Sequence, residues 1–197
     1  MSDVPKLVAQ RGEIDAHLFE NPQMGVPRAV YWSCRIDFEP IQDESGEGDE
    51  DGWPCTLLCE WITWPIRSWR QIDGLTLENC VHPSGLEASL YFFSVHQPLS
   101  SIELSFRGTE GNRFRVQGRL IGDLEDLEGH VFRGMTAEFE VDAEFLEVGV
   151  IPENLNPKPV SEAQAAAALG QYADLASYER PEWVDDFKWS FRPKTIV

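Results

Sequence analysis

Apolar and polar residues alternate with a period of two along much of this chain. The clearest case is residues 135–148, where the apolar positions are Ala137, Phe139, Val141, Ala143 and Phe145 and the polar ones are Thr136, Glu138, Glu140, Asp142 and Glu144. This period is that of a β-strand with one face buried and one face in water. The segment 28–39 repeats the pattern, with Trp32, Cys34 and Ile36 on its apolar face. Both segments are therefore predicted to be strands of a half-exposed sheet.

Weaker strand signals fill most of the remaining chain up to residue 150. They lie at residues 55–64, 67–72, 75–82, 86–96, 101–107 and 112–121, and a short final strand is predicted at 186–192. The dipeptide Asp73-Gly74 and the stretch 108–112 carry turn residues between such segments, as in hairpins.

Two segments favour helices instead. Residues 6–20 space Leu7, Ile14 and Leu18 as a short N-terminal helix would, although Gly12 weakens it. Ser161 is followed three residues later by Gln164 and then by an alanine-rich run, which is the capping-box signature of a helix start.

The predicted fold is mainly β: an antiparallel sandwich or barrel-like sheet of about seven to nine strands. A C-terminal helix and the short N-terminal helix complete it. We predict a single domain over 1–197, with an N-terminal segment (1–27), a β core (28–150), and a linker, helix and docked aromatic tail (151–197).

Charge is the strongest compositional feature. The chain has 34 acidic residues against 16 Lys and Arg, a formal net charge of -18. Such a surface repels phosphate backbones and anionic lipid and attracts basic partners, so nucleic-acid binding is not expected. No apolar run is long enough to span a membrane, and no secretory signal is predicted at the N-terminus. The expected location is the cytoplasm, with the four cysteines as reduced thiols.

One acidic run stands out, and a tryptophan-rich segment follows it directly. Trp64 and Trp69 flank Pro65 and are the tryptophans expected to be most exposed. An aromatic centre with an acidic rim suits a basic protein partner. The predicted partner-binding residues are Asp43, Glu44, Glu47, Asp49, Glu50, Asp51, Trp53, Trp64 and Trp69.

Catalytic and metal-binding patterns are weak by comparison. The acidic run matches a calcium loop in part, but Pro54 stands where a bidentate glutamate is required. Cys55, Cys59, Cys80 and His82 form a poor zinc pattern, and a small buried hydrophobe is the commoner role of cysteine. We predict no cofactor, no metal and no catalytic residue, so the expectation leans away from an enzyme.

Carboxylates on residues 135–148 face a basic counterpart elsewhere in the sequence. Arg113, Arg115 and Arg119 alternate along the strand predicted at 112–121. We predict that these guanidinium groups pair across strands with Glu138, Glu140, Asp142 and Glu144, a structural arrangement. An exposed acidic stripe is the alternative.

The sequence thus favours a non-enzymatic acidic protein that binds a basic protein partner. One concrete form is an immunity-type or antitoxin-type inhibitor that occludes its target. The alternative is a β-barrel or sandwich that binds a small apolar ligand among its aromatic residues. A carboxylate-dependent hydrolase is a weaker third hypothesis. Partner identity, oligomeric state and strand order are left open.

Overall fold

The computed structural model describes residues 6–41, 52–78, 87–92, 95–125, 129 and 131–195. The strands are β1 Ala9–Asn21, β2 Val26–Ile41, β3 Trp53–Ile62, β4 Thr76–Glu78, β5 Glu87–Phe92, β6 Val95–Pro98, β7 Ser101–Gly108, β8 Arg113–Glu125, β9 Val131–Val150, β10 Glu182–Val184 and β11 Lys188–Phe191. One α-helix, α1, spans Glu162–Leu169, and short 3₁₀ turns lie at Pro22–Met24, Trp69–Ile72, Pro152–Asn154 and Leu175–Ser177.

These strands form one curled sheet with the shape of a half-barrel. Nine of them follow the order β4-β7-β8-β9-β1-β2-β3-β5-β6, and the β10–β11 hairpin attaches to β9 through β11. The prediction of a mainly β fold is confirmed. The prediction of an antiparallel sheet is only partly right, because β1 runs parallel to β9 and makes the sheet mixed.

The N-terminal helix predicted at residues 6–20 is wrong: this segment is strand β1. Its buried residues Ile14, Ala16 and Leu18 alternate with half-buried Asp15 and His17. β1 lies between β2 and β9 and pairs with both. Pairing on two edges satisfies the backbone of a strand more fully than a short isolated helix could.

The strand predicted at residues 67–72 is also wrong, since a 3₁₀ turn occupies Trp69–Ile72. The Ser68 side chain caps this turn by accepting a hydrogen bond from the Arg70 N–H at 3.2 Å. Residues three apart point the same way in a 3₁₀ helix. Trp69 and Ile72 are therefore both buried, which an extended strand would not allow.

Apolar side chains fill the concave face of the half-barrel. The largest fully buried ones include Trp32, Phe92, Phe145 and Phe191. The Trp69 ring stacks on Phe145 with an angle of 11° between the planes. Aromatic residues from β2, β9, β11 and the 3₁₀ turn thus share one core.

The C-terminal segment covers part of this core, as expected for a docked tail. The Trp69 indole N–H donates to the Ser177 carbonyl oxygen at 2.8 Å, and Phe191 is buried. Helix α1 begins after Ser161 as predicted, with the Ser161 hydroxyl accepting from the Gln164 N–H at 3.4 Å. The Gln164 carboxamide accepts from the Val160 N–H rather than from Ser161. Within the described residues, no helix is long and apolar enough to cross a membrane.

Candidate functional site

Four carboxylates lie in one row across the convex face of the sheet. Glu60 on β3 is directly opposite Glu87 on β5, and Asp15 on β1 is opposite Ser33 on β2. The Ser33 hydroxyl donates a short hydrogen bond to the Asp15 carboxylate. Glu147 on β9 continues the row on the far side of β1. We call Glu87, Glu60, Asp15 and Glu147 the carboxylate row.

A β-bulge in β3 sets one end of this row. Trp32 pairs with Ile62 and Cys34 with Cys59, so Ser33 faces two residues, Glu60 and Trp61. Trp61 has a φ of 60°, a left-handed conformation that is unusual for a bulky residue. Bulges re-aim side chains and are common beside functional sites. This one turns Trp61 onto the convex face, although simple alternation places it with Cys55, Leu57 and Cys59 on the buried face.

A second bulge, in β9, lies at the same level of the sheet. Ile14 pairs with Phe145 and Ala16 with Val148, so Asp15 faces two residues, Leu146 and Glu147. Leu146 is 38% exposed. The two bulges therefore flank Asp15 on both sides and bring Trp61 and Glu147 to the same surface.

The β10–β11 hairpin forms a wall beside Glu147. Its turn places Asp185 and Asp186 at φ values of 53° and 59°, and the Phe187 N–H donates to the Val184 carbonyl oxygen at 3.2 Å. Asp tolerates left-handed turn positions better than most residues. The turn leaves the Phe187 ring 45% exposed and puts two carboxylates next to it.

These elements enclose a hollow of about 360 Å³ on the convex face. Gly149, with no side chain, lies at its floor between His17 and Lys188: a Cβ there would lie 3.9 Å from the Cβ of His17 and the Cδ of Lys188. We call it the aromatic hollow, and its principal lining residues are Asp15, His17, Phe19, Trp61, Glu147, Phe187 and Lys188.

The aromatic side chains of the hollow support one another edge to face. The Trp61 ring centre lies 5.1 Å from that of Phe19, 5.5 Å from Tyr31 and 5.6 Å from His17. Each pair is close to perpendicular, which is a favourable arrangement for aromatic rings. The cluster holds Trp61 in place despite its backbone conformation.

Charge in the hollow is only partly balanced. The Lys188 ammonium group makes a close ion pair with Glu147, and the Ser190 hydroxyl also donates to Glu147. Burial lowers the pKa of His17, so its ring is neutral at pH 7. Asp15 then adds a second carboxylate to the hollow, while Lys188 supplies one ammonium group.

Like charges also act on one another along the row. Burial, the facing Glu87 carboxylate and the Asp15 carboxylate together raise the pKa of Glu60, and His96 opposes them. The His96 imidazole lies 3.3 Å from Glu87. Carboxylates held beside one another in this way favour a cation that comes to rest among them.

A second hollow, of about 530 Å³, lies on the other side of Trp61. Its wall includes Tyr31, Trp61, Trp64 and Leu77, so it is mainly aromatic and apolar. The Trp64 indole N–H is buried and has no hydrogen-bond partner among the described residues. We call this the tryptophan hollow.

The carboxylates of β9 residues 138–144 are arranged differently, in the predicted ladder with β8. Arg113, Arg115 and Arg119 lie opposite Glu144, Asp142 and Glu138 in register. The Arg115 guanidinium lies 2.6 Å from Asp142 and 2.7 Å from Glu140, and the Gln117 carboxamide donates to Glu140 at 2.7 Å. The predicted cross-strand pairing is confirmed for Arg115 and for Arg119, which lies 3.9 Å from Glu138, while Arg113 is opposite Glu144 in register only. We call these residues the charge ladder.

The tryptophans predicted for the partner-binding site do not form one surface. Trp69 is only 4% exposed, so its expected exposure is wrong: its ring belongs to the core and its N–H is bonded to Ser177. Trp53 and Trp64 are half-buried and pack against the core. The acidic part of that site, Asp43, Glu44, Glu47, Asp49, Glu50 and Asp51, lies outside the described residues.

The cysteines are buried where they are described, including Cys55 and Cys59 of the zinc pattern. Burial raises the pKa of both Cys34 and Cys55 to about 12, which keeps these thiols protonated. Cys80 and His82 lie outside the described residues. In the part of the chain that is described, no three His, Cys, Asp or Glu side chains are placed to hold a metal ion.

The sequence does contain a signal for the residues that line the hollow. Glu13 to Leu18 alternates polar and apolar residues, and a strand there sends Asp15 and His17 to the same face. The helical interpretation of residues 6–20 hid this. We compared the chain with known proteins, and no family model, curated protein or solved structure matches it.

Proposed function

We propose that this protein is a non-enzymatic binding protein whose partner is a basic protein. The observation that carries the proposal is the aromatic hollow with its incompletely balanced carboxylates, on a chain with a net charge of -18. Exposed aromatic side chains supply binding energy in protein interfaces, and charge complementarity speeds encounter and selects the partner. Asp185 and Asp186 add an acidic rim beside the exposed ring of Phe187.

A basic protein suits this surface better than a nucleic acid. Phosphate groups bind through Lys and Arg, and the row Glu87, Glu60, Asp15 and Glu147 has the opposite sign. An inhibitor of the immunity or antitoxin type is the finer form of the proposal, in which the row occupies the cationic site of its target. The thiols of Cys34 and Cys55, which form no disulfide, suit the reducing cytoplasm as the place of action.

Affinity capture from a lysate of the source cells at low and high salt tests the proposal. We expect a basic protein to be retained at low salt and weakened at high salt, because exposed charges are screened. Replacement of the exposed ring in F187S should reduce its recovery. V131S is the matched control, because Val131 is 48% exposed and lies at the opposite end of β9 from the hairpin.

Three outcomes would overturn the proposal. The first is that no specific protein is retained. The second is that the retained protein is acidic, and the third is that salt has no effect on its recovery. If a basic protein is retained, an assay of its own activity tests the inhibitor form: this chain should inhibit that activity.

A second candidate function rests on the tryptophan hollow. Its volume and its aromatic wall of Tyr31, Trp61 and Trp64 are typical of a site for a small apolar ligand. Native mass spectrometry of the purified protein tests this: a bound small molecule that organic extraction removes supports it, and an unliganded mass from freshly purified protein contradicts it.

A further inference from the structure

The aromatic hollow has the features of a receptor for one flat cation. Its walls present the rings of Phe19, Trp61 and Phe187, and the faces of such rings attract cations when they are close. The hollow already holds one example, since the Lys188 ammonium group lies 5.7 Å from the centre of the Phe187 ring. Its volume of about 360 Å³ is at the small end of ligand sites, which suits a side chain.

The charges in the hollow leave room for one more positive group. Glu147 is neutralised by Lys188 and hydrogen-bonded by Ser190. Asp15 accepts from the neutral Ser33 hydroxyl, which leaves its charge in place. Beyond Asp15, the row continues with Glu60 and not with a base. A single incoming cation next to Asp15 therefore meets aromatic walls on its sides and negative charge beneath it.

A longer groove leads away from this hollow. A neighbouring hollow of about 580 Å³ shares Asp15, Glu147 and Lys188 with it. It also includes Glu144, Leu146 and Arg192, and the Arg192 guanidinium lies 3.7 Å from the Glu182 carboxylate. An extended segment could thus lie across the Glu147–Lys188 pair, with one side chain in the aromatic hollow. Carboxylates and the exposed Leu146 would contact the rest of the segment.

We propose that the aromatic hollow binds the guanidinium group of an arginine side chain in an extended basic segment of the partner. The proposal rests on the proposed function, because it assumes a basic protein partner. Arginine fits better than lysine: its planar group stacks on aromatic rings, is weakly hydrated and can contact a carboxylate through two N–H groups. The ammonium group of lysine is not planar and cannot contact a carboxylate through two parallel N–H groups.

Three short capped peptides test the choice of ligand by NMR titration of the whole chain. They are N-acetyl-Gly-X-Gly-amides in which X is arginine, lysine or citrulline, the neutral isostere of arginine. We expect the arginine peptide to shift the indole N–H signal of Trp61 and the ring signals of His17. Citrulline should bind about tenfold more weakly, because it lacks the charge. Lysine should fall between the two.

A variant that fills the hollow shows where the peptide binds. In G149V the new side chain rises from the floor between His17 and Lys188 and should abolish the Trp61 shift without changing any charge. G149A is the milder version if valine disturbs folding, because its Cβ makes only ordinary contacts of 3.8–3.9 Å. V131S again serves as the control and should leave the titration unchanged.

The proposal fails if citrulline shifts Trp61 as strongly as arginine does, or if G149V and G149A bind arginine like the wild type. Equal binding of lysine and arginine would overturn the choice of arginine. A failure here differs from a failure of the proposed function. If the lysate still yields a basic partner that F187S weakens, the binding function stands and the arginine site is wrong. If the arginine peptide binds and no basic partner is retained, the proposed function is wrong.

Discussion

The charge ladder and the carboxylate row are built from the same type of side chain, but their carboxylates have different neighbours. Both place carboxylates on the convex face of the sheet. In the ladder, Arg115 lies between Glu140 and Asp142, and Arg119 approaches Glu138. In the row, Glu60 faces Glu87. Cross-strand pairs of opposite charge stabilise a sheet and like pairs destabilise it, so the ladder serves the fold and the row weakens it.

This difference teaches that net charge alone does not locate a binding surface. The ladder contributes several of the acidic residues that make the chain so negative, yet its guanidinium groups neutralise them locally. The row has few such partners among the described residues and lies beside Trp61 and Phe187. Surfaces that bind often retain an arrangement that is unfavourable for stability, which is the property we expect of the row.

The largest effect should come from breaking the core beneath the ladder. Gly118 on β8 lies under the Phe139 ring, and a Cβ there would come within 2.2 Å of the ring. G118A should therefore lower the free energy of unfolding by about 1–3 kcal/mol, the usual cost of overpacking. Denaturant unfolding measures it. G149A is the matched control and should unfold like the wild type; equal stability of the two variants would contradict this packing.

Neutralising a carboxylate of the row should stabilise the protein. E60Q removes the repulsion from Glu87 and Asp15, and we expect a gain of about 0.2–1 kcal/mol at pH 7. Because the pKa of Glu60 is raised in the folded state, ionisation penalises folding as the pH rises through its ordinary value towards the raised one. The gain should be absent below the ordinary pKa of glutamate. Thermal unfolding from pH 3 to 8 checks this, and a loss of stability in E60Q at pH 7 would refute it.

The same Glu-to-Gln substitution in the ladder should destabilise the protein, and by a smaller amount than E60Q stabilises it. E140Q removes the charge of Glu140 and one of the two carboxylate oxygens that accept from Gln117 and Arg115, and these hydrogen bonds lower the pKa of Glu140. Because its pKa is lowered in the folded state, ionised Glu140 stabilises the fold fully above the ordinary pKa of glutamate. This stabilisation is lost as the pH falls through the lowered pKa. We expect a slightly lower melting temperature at pH 7, no difference in strong acid, and a smaller difference in high salt. A rise in melting temperature at pH 7 would show that the ladder does not stabilise the sheet.

The smallest effect is expected for chemical modification of the cysteine thiols, which lie on the buried face of the sheet. Burial raises the pKa of Cys34 and Cys55 to about 12, so little reactive thiolate exists at pH 8. Iodoacetamide should leave both unmodified in the native protein and label them once it is unfolded, as peptide mapping by mass spectrometry would show. Rapid labelling of either under native conditions would mean that the core opens easily.

The sequence predicted the ladder well and the row poorly, for a physical reason. Residues 28–39 and 136–145 have an unbroken period of two, so their faces and the partners of Arg115 follow from it. In the row, the bulge at Trp61 shifts the alternation by one residue. Local spacing contains no sign of this shift.

The parallel contact between β1 and β9 was equally hidden from the sequence. The two strands are more than 100 residues apart, and no turn signal connects them. Residues 6–20 match helical spacing at Leu7, Ile14 and Leu18 as well as strand alternation at Ile14, Ala16 and Leu18. Only pairing with β2 and β9 decides between the two. The hollow, which needs β1, β3, β9 and the hairpin together, could not be predicted without that pairing.

The most direct test of the account compares D15N with E140Q in the titration with the arginine peptide. Each variant removes one negative charge from the convex face, and the carboxamide introduced by D15N keeps an acceptor for the Ser33 hydroxyl. We predict that D15N weakens the peptide's effect on Trp61 about tenfold, because it removes the charge beneath the guanidinium group. E140Q should stay within about twofold of the wild type, because only distant, screened charge changes. Equal weakening by both variants would contradict the account, because the peptide would then sense only net charge.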